Sequence, residues 1–244
     1  MTQPGFPLDE VDFEAAYSGQ ALIPGTGVGF DVAPWDIGAP QPAVIGLADA
    51  GEFRGAVLDS GCGLGENAIF LAGRGYQVTG VDGSQTALRT ARERAAAHEV
   101  DVEFVHADVT TFDGLEPRFD TVLDSALYHC LTDEQRTAYV AALRRVTLPG
   151  ARLHLLCFAD VGNEGLRLPM GVSQDDLRTH LAGQWDIDDI GTIDYTMSMT
   201  MDSLDEVGIE RLAGLGVTVD RSALRVDDQG RILGRMWQVR ADRV

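Results

Sequence analysis

Three glycines set two residues apart, flanked by carboxylates, carry the chemistry most readily read in this chain. The run Ala56-Val57-Leu58-Asp59-Ser60-Gly61-Cys62-Gly63-Leu64-Gly65-Glu66-Asn67 takes an apolar strand into an acid, through a glycine-dense turn and straight into a helix. Such a turn lets backbone amides approach a ligand, and the first N–H groups of the helix point at the same spot. A tight structural turn without a ligand is the alternative. The next apolar run ends in Asp82, roughly twenty residues beyond the glycines, where an acid commonly holds ribose hydroxyls.

Two ligand classes compete for that turn. Dinucleotide sites favour G-x-G-x-x-G, whereas the glycines here fall at 61, 63 and 65. Asp59 is expected at the mouth of the loop, where it would repel a pyrophosphate. A sulfonium nucleoside with an ammonium tail is positively charged and suits acids. Charge therefore favours S-adenosylmethionine, with a nicotinamide-dependent oxidoreductase as the competing class.

The run from Val57 to Gly65, followed by Val81-Asp82-Gly83-Ser84, resembles the class I S-adenosylmethionine-dependent methyltransferases. The resemblance covers roughly residues 34 to 160 and the remainder by general layout. It implies an α/β fold: a doubly wound, seven-stranded, mostly parallel Rossmann-like sheet with helices on both faces. The cofactor, leaving as S-adenosylhomocysteine, would lie across the strand ends against Asp59, Gly61, Gly63, Gly65, Asn67, Asp82, Gly83 and Ser84. Asp108 would stand beside the adenine amino group, with Val109 as backbone donor and apolar contact; a turn-initiating aspartate is the other reading of Asp108. Asp124 or Ser125, ending the fourth strand, would meet the methionine part. Pro34-Trp35-Asp36-Ile37-Gly38-Ala39-Pro40-Gln41-Pro42 is similar to an element of the thiopurine and halide methyltransferases and the related heterocyclic-toxin methyltransferases. There it folds over the cofactor and shapes the acceptor pocket, which makes Trp35 a wall of the site, with plain packing as the alternative.

Composition narrows the acceptor. The chain has 244 residues, 38 acids against 19 bases and a net charge of -19. Nucleic-acid affinity comes largely from Lys and Arg on phosphates, so nucleic acid and an anionic membrane are both disfavoured. No run of eighteen apolar residues occurs, and Met1-Thr2-Gln3-Pro4 lacks a signal-peptide pattern, so a cytoplasmic protein is expected. Cys62, Cys130 and Cys157 stand without ligand spacing, consistent with reduced thiols and no metal. A monomer is the default.

The remaining elements position the acceptor side. Residues 1–33 read as an appended lid, with Asp9 capping a short helix through Tyr17, and residues 34–244 as one domain. Within it, 34–160 forms the cofactor half and 161–244 the acceptor-side, sheet-closing half. Ser84 caps one helix and Thr132 opens a capping box. Gly162-Asn163-Glu164-Gly165 begins a loop expected over the acceptor, and a helix is expected from Ser203 to Leu212; Met197, Met199 and Met201 alternate on a strand, as ordinary core in the favoured reading and as the lining of an adaptable apolar pocket in the other. His129 is the candidate general base and Tyr17 the candidate orienting group, with Trp35 and Tyr128 also lining the acceptor site; for His129, structural packing is the alternative. The favoured reaction is O- or N-methylation of a small hydrophobic heterocycle such as a hydroxyquinolone or phenol, as in detoxification. Thiol, thiopurine or halide methylation is the nearest rival. A protein that binds S-adenosylmethionine without catalysis is the third reading.

Overall fold

Near-continuous apolar runs suit strands covered on both faces, and five such runs form the parallel part of the sheet. In the computed structural model, which describes residues 7–30 and 32–244, these are β1 (Ala56–Ser60), β2 (Gln77–Asp82), β3 (Glu103–His106), β4 (Phe119–Ser125) and β5 (Thr147–Phe158). They are followed by β6 (Leu166–Arg167), β7 (Trp185–Thr200), β8 (Thr218–Val219) and β9 (Arg231–Arg243). Strand order is β3-β2-β1-β4-β5-β9-β7, with β9 antiparallel to both neighbours, while β6 and β8 pair apart from the sheet. The doubly wound, mostly parallel seven-stranded sheet is thus present. The chain steps outward from β1 to β3 and returns at β4, which makes the β1–β4 boundary the switch point where ligands bind beyond the strand ends. Met1-Thr2-Gln3-Pro4 lies outside the described residues. Among those residues no helix is long and apolar enough to cross a membrane.

Eight helices are described: α1 (Phe13–Tyr17), α2 (Pro42–Asp49), α3 (Glu66–Gly73), α4 (Gln85–Ala97), α5 (Asp133–Val146), α6 (Gln174–Leu181), α7 (Met201–Val207) and α8 (Ile209–Gly214). The pleat alternates sides. Val57, Leu123 and Leu156 pack with α2, α3 and α4, whereas Leu58, Val122 and Leu155 pack with α5 and α6. Fully burying each such side chain contributes about 1.5–3 kcal/mol. A third cluster joins Val28 and Phe30 to Leu166, Met197, Met199, Leu212 and Val217, so the N-terminal segment shares a core with the C-terminal part of the chain.

Three local expectations are corrected. Asp9 falls in a 3-10 turn, Leu8–Glu10, and Asp12 caps α1, its side chain accepting the Ala15 N–H at 2.9 Å. The helix expected over Ser203–Leu212 is broken by Gly208 at φ +88° and begins earlier, through a capping box of Thr200 with Ser203. The Gly162–Gly165 stretch does not cover the cavity. Asn163 is buried, donates to the Ala159 and Arg235 carbonyls and accepts the Arg235 N–H, which pins the loop to the sheet.

The segment before α2 is strapped onto α4. Glu14 accepts hydrogen bonds from the Ser84 hydroxyl (2.6 Å), the Thr86 N–H (3.2 Å) and the Thr86 hydroxyl. A carboxylate at a helix N-terminus also meets the positive end of the helix dipole. Farther along α4, Arg94 grips both oxygens of Asp36 at 3.2 and 3.0 Å and pairs with Glu66. The Ser84 and Thr86 contacts hold Glu14 down to about 2 from its usual 4.5. A depressed acid strengthens the docked state above its unfolded pKa, and that contribution disappears as pH falls through the folded one. Hydrogen exchange across residues 8–30, corrected for intrinsic rate, is therefore expected to stay slow at neutral pH and quicken as pH falls from about 4.5 to about 2. Glu14→Gln is expected to quicken it already at neutral pH; unchanged protection in that variant would show that the strap does not rest on Glu14.

Candidate functional site

Residues just beyond the ends of β1, β2, β3 and β4 line a cavity of about 960 Å³, at the upper end of ligand-site volumes. Asp82 organises its floor. One carboxylate oxygen accepts the Gly63 N–H at 2.8 Å and the other accepts the Ser84 N–H at 2.8 Å, so a single side chain ties the glycine turn to the start of α4. Burial raises its pKa, opposed by these two bonds. Gly61, Gly63 and Gly65 have φ of +69°, +52° and +88°, a region L side chains rarely adopt. A Cβ at 63 would stand 2.7 Å from the Tyr17 hydroxyl, and one at 65 would stand 2.9 Å from the Ala91 Cβ.

Of the residues proposed from sequence, Tyr17, Trp35, Gly61, Gly63, Gly65, Asn67, Asp82, Gly83, Ser84, Asp108, Val109, Ser125 and His129 all line this one cavity. Trp35 Nε1–H donates to the Tyr17 hydroxyl at 2.9 Å, and Phe13 and Tyr17 both meet the indole edge-on. Asn67 accepts the Gln41 N–H at 3.0 Å, so it anchors the proline-rich element as well as facing the cavity. Asp108 closes a turn onto Thr110 with Oδ1 and is exposed, so the turn role and the cavity position coexist.

Four expectations need correction. Asp59 is not at the mouth of the loop: it is 1 % exposed beneath the turn, with Oδ2 unpartnered. Asp124 is also fully buried behind the wall, accepting the Leu127 and Tyr128 N–H groups and the Tyr139 hydroxyl. Burial pushes both acids up to about 7, Asp59 further through the charges of Asp124 and Asp82. Tyr128 does not reach the cavity, because its hydroxyl turns away to Asp176 at 3.0 Å. His129 faces the cavity but is no general base. Its Nδ1 accepts the Phe158 N–H at 3.2 Å, and burial together with the charge of Arg136 holds its pKa down to about 3. Tyr17 stands over Gly63 on the turn side, with burial and Asp82 holding its hydroxyl protonated.

Sequence reasoning missed several wall residues. Gln41 is buried and clamps the Thr196 backbone through both amide atoms, at 2.9 and 3.3 Å. Tyr195 lies 3.3 Å from the Ser125 hydroxyl. Met170 and Met236 line the cavity with Val28, Phe30, Leu166, Leu168, Leu212 and Val217, and so do Met197 and Met199, for which the sequence favoured ordinary core over a pocket wall. Alternation along β7 marked the methionine face, but no local signal told core from cavity wall. Met201 is not among the lining residues. Away from the cavity, Asp133, Asp176 and His180 approach one another closely enough to hold a metal ion, but Arg136 already pairs with Asp176 at 2.8 Å.

The cavity's charges decide which group fits it. Among the described lining residues no Lys or Arg occurs, while Asp9, Glu10, Asp12, Glu14, Asp36, Glu66, Asp82 and Asp108 contribute carboxylates. A pyrophosphate finds no counter-charge there. A sulfonium nucleoside with an ammonium tail fits, since the glycine turn leaves room for close approach and Asp82 faces the space beside it.

Comparisons with known proteins agree with that chemistry. The family model described as a methyltransferase domain matches residues 57–150. A 2-heptyl-1-hydroxyquinolin-4(1H)-one methyltransferase of Mycobacteroides abscessus is 37% identical over 159 residues, covering 64% of this chain and 70% of that one. A probable thiol methyltransferase of Arabidopsis thaliana is 27% identical over 51% of this chain and 56% of its own. A solved structure from work on converting a disulfide bond into a thioacetal group during echinomycin biosynthesis superposes with a TM-score of 0.74. It is 33% identical, with 95% of this chain and 90% of that chain covered. The chain belongs to the class I S-adenosylmethionine-dependent methyltransferases.

Proposed function

We propose that this enzyme moves the methyl group of S-adenosylmethionine to an oxygen or nitrogen of a neutral, largely apolar heteroaromatic acceptor of the hydroxyquinolone or phenol kind. The observation that carries this reading is the cavity itself: large, apolar on one side, and without a cationic side chain among its described lining residues. The relative named for a hydroxyquinolone supports it. An anionic acceptor such as iodide or thiocyanate would meet an acidic lining with no cationic side chain among its described residues, two of the acids (Asp36 and Glu66) being paired with Arg94, which argues against the halide branch of the alternatives. Thiol methylation is the second reading, supported by the relative named for it; a neutral thiol would pass the same charge filter. The net charge of -19 further supports a small-molecule substrate over nucleic acid, in a cytoplasmic monomer.

The cavity supports the following division of labour. When bound, S-adenosylmethionine supplies a methyl group already activated on a sulfonium. The turn at Gly61–Gly65, Asp82 and Ser84 would hold the nucleoside end, with Asp108 and Val109 beyond β3. Ser125 borders the reacting centre. Trp35 and Tyr17 close the site from above as part of a lid reaching from the N-terminal segment to Pro42. Methyl transfer from a sulfonium to a neutral or anionic atom spreads or quenches charge, so excluding water and aligning the partners contributes several kcal/mol. The apolar wall from Val28 to Val217 does the excluding.

Transfer of labelled methyl groups to a panel of N-hydroxyquinolones, phenols, thiophenols, iodide and thiocyanate tests the acceptor class. Neutral heteroaromatic hydroxyls are expected to be methylated with a kcat/KM at least about a hundredfold above the two anions; iodide or thiocyanate as best acceptor would overturn the reading. Asp82→Asn is expected to weaken S-adenosylhomocysteine binding by about ten- to hundredfold by calorimetry, as befits loss of charge-assisted bonds at the turn. Leu212→Trp, which fills the apolar wall, is expected to raise KM for the larger acceptors at least about tenfold while leaving S-adenosylhomocysteine affinity within about threefold. An equal loss of both would place Leu212 in the cofactor's share of the cavity.

A further inference from the structure

One polar ring in the cavity wall is without a partner on its inner edge. His129 sits in the short helical turn Tyr128–Cys130 after β4 and is 6 % exposed, and what surface it keeps faces the cavity. Its Nδ1 accepts the Phe158 N–H, so that nitrogen carries no proton, and a neutral imidazole must then carry its proton on Nε2. Arg136, whose Nε donates to the Tyr128 carbonyl at 3.4 Å, lies close enough to oppose protonation of the ring, as burial also does. Phe158 packs against the ring edge-on with centroids 6.1 Å apart, Arg136 is the charged group that acts on it, and the uncharged Ser125, Cys130 and Tyr195 line the same cavity. The Ser125 and Tyr195 hydroxyls engage each other. The His129 Nε2 makes no hydrogen bond with any described residue and is not sealed from the cavity. An N–H that borders the cavity carries a desolvation penalty when an acceptor fills that space without offering it a lone pair.

We propose that His129 is the specificity-determining hydrogen-bond donor of the acceptor site, its Nε2–H engaging a second heteroatom of the acceptor, distinct from the atom that takes the methyl group. A donor placed on the attacking lone pair would compete with the methyl carbon for it, so the productive contact falls on another oxygen or nitrogen. A ring carbonyl conjugated to the attacking hydroxyl meets this requirement. An acceptor lacking such an atom leaves the N–H unpaired, which is the stronger route to discrimination in a closed pocket. The proposal rests on the methyltransferase reading of the cavity and sharpens it: the substrate class becomes heteroaromatic hydroxyls with a second lone-pair atom, and simple phenols become poor substrates.

Three variants separate a donor from a packing residue. Gln at 129 can place an amide N–H near the Nε2 position, Asn can replace only the Nδ1 acceptor for Phe158, and Leu keeps neither. Each is assayed with 1-hydroxyquinolin-4(1H)-one, which has a ring carbonyl, and with 1-naphthol, which has no second heteroatom. S-adenosylhomocysteine binding reports folding of every variant. His129→Leu and His129→Asn are expected to lose about ten- to hundredfold in kcat/KM on the quinolone and to stay within about threefold of wild type on naphthol, with His129→Gln recovering most of the loss. Equal losses on both probes, or recovery by Asn as good as by Gln, would overturn the proposal and make the ring a structural support for Phe158. Calorimetric binding of both probes to protein saturated with S-adenosylhomocysteine reads the same contact without turnover. If wild type binds the quinolone but methylates neither probe, the acceptor assignment fails while the binding loss in His129→Leu still judges the donor.

Discussion

The carboxylate of Asp82 is the interaction on which the rest of the site depends. It takes one N–H from the glycine turn after β1 and one from the residue that caps α4, so the two loops that must face a nucleoside are held as one piece. Ser84, fixed in that way, presents its hydroxyl to Glu14, and the N-terminal segment docks as a consequence. Tyr17 then lands on Gly63, where any side chain would collide with it. Floor and roof of the cavity are therefore set by the same few bonds.

Electrostatics give the cavity its character. All the charged side chains among its described lining residues are acidic, and two further acids, Asp59 and Asp124, are buried just behind the wall with their pKa values raised to about 7. Buried like charges resist joint ionisation, and burial already disfavours the charged form of each acid. Such a lining tolerates a sulfonium and rejects anions. It also leaves proton removal without an obvious strong base: His129 is held neutral with its lone pair occupied, and Tyr17 is held protonated. Acceptors that bind neutral and whose hydroxyl is acidic enough to release its proton to solvent as the methyl group transfers fit both constraints best.

The apolar side of the cavity is built from a core that is hollow. Val28, Leu166, Met197, Met199, Leu212 and Val217 belong to one packed cluster and at the same time line the cavity. Interiors elsewhere in proteins are close-packed, so an apolar cluster wrapped around open space is a ligand surface. Methionine is suited to it, being flexible enough to conform to more than one acceptor shape. The halves of this wall come from opposite ends of the sequence, so the N-terminal segment helps to enclose the cavity.

The sequence alone determined the strands of the parallel sheet, the glycine turn, Asp82 at the end of β2, Ser84 and Thr132 as helix caps, and a positively charged methyl donor as ligand. Each of these is a local signal: an apolar run, a glycine spacing, or a capping residue followed by a helix. Tertiary structure decided what local patterns do not encode, namely which side of a loop a residue faces and what meets it there. Asp59 and Asp124 read as site residues until the fold placed them behind the wall, and His129 read as a base until the Phe158 amide took its lone pair. Glu14, Gln41 and the β7 methionines acquire their roles only through partners 70 to 155 positions away or from a shared cavity. Long-range contacts of that kind arise when the chain packs, because the strength of a hydrogen bond and the pKa of a buried group depend on neighbours that sequence order does not specify.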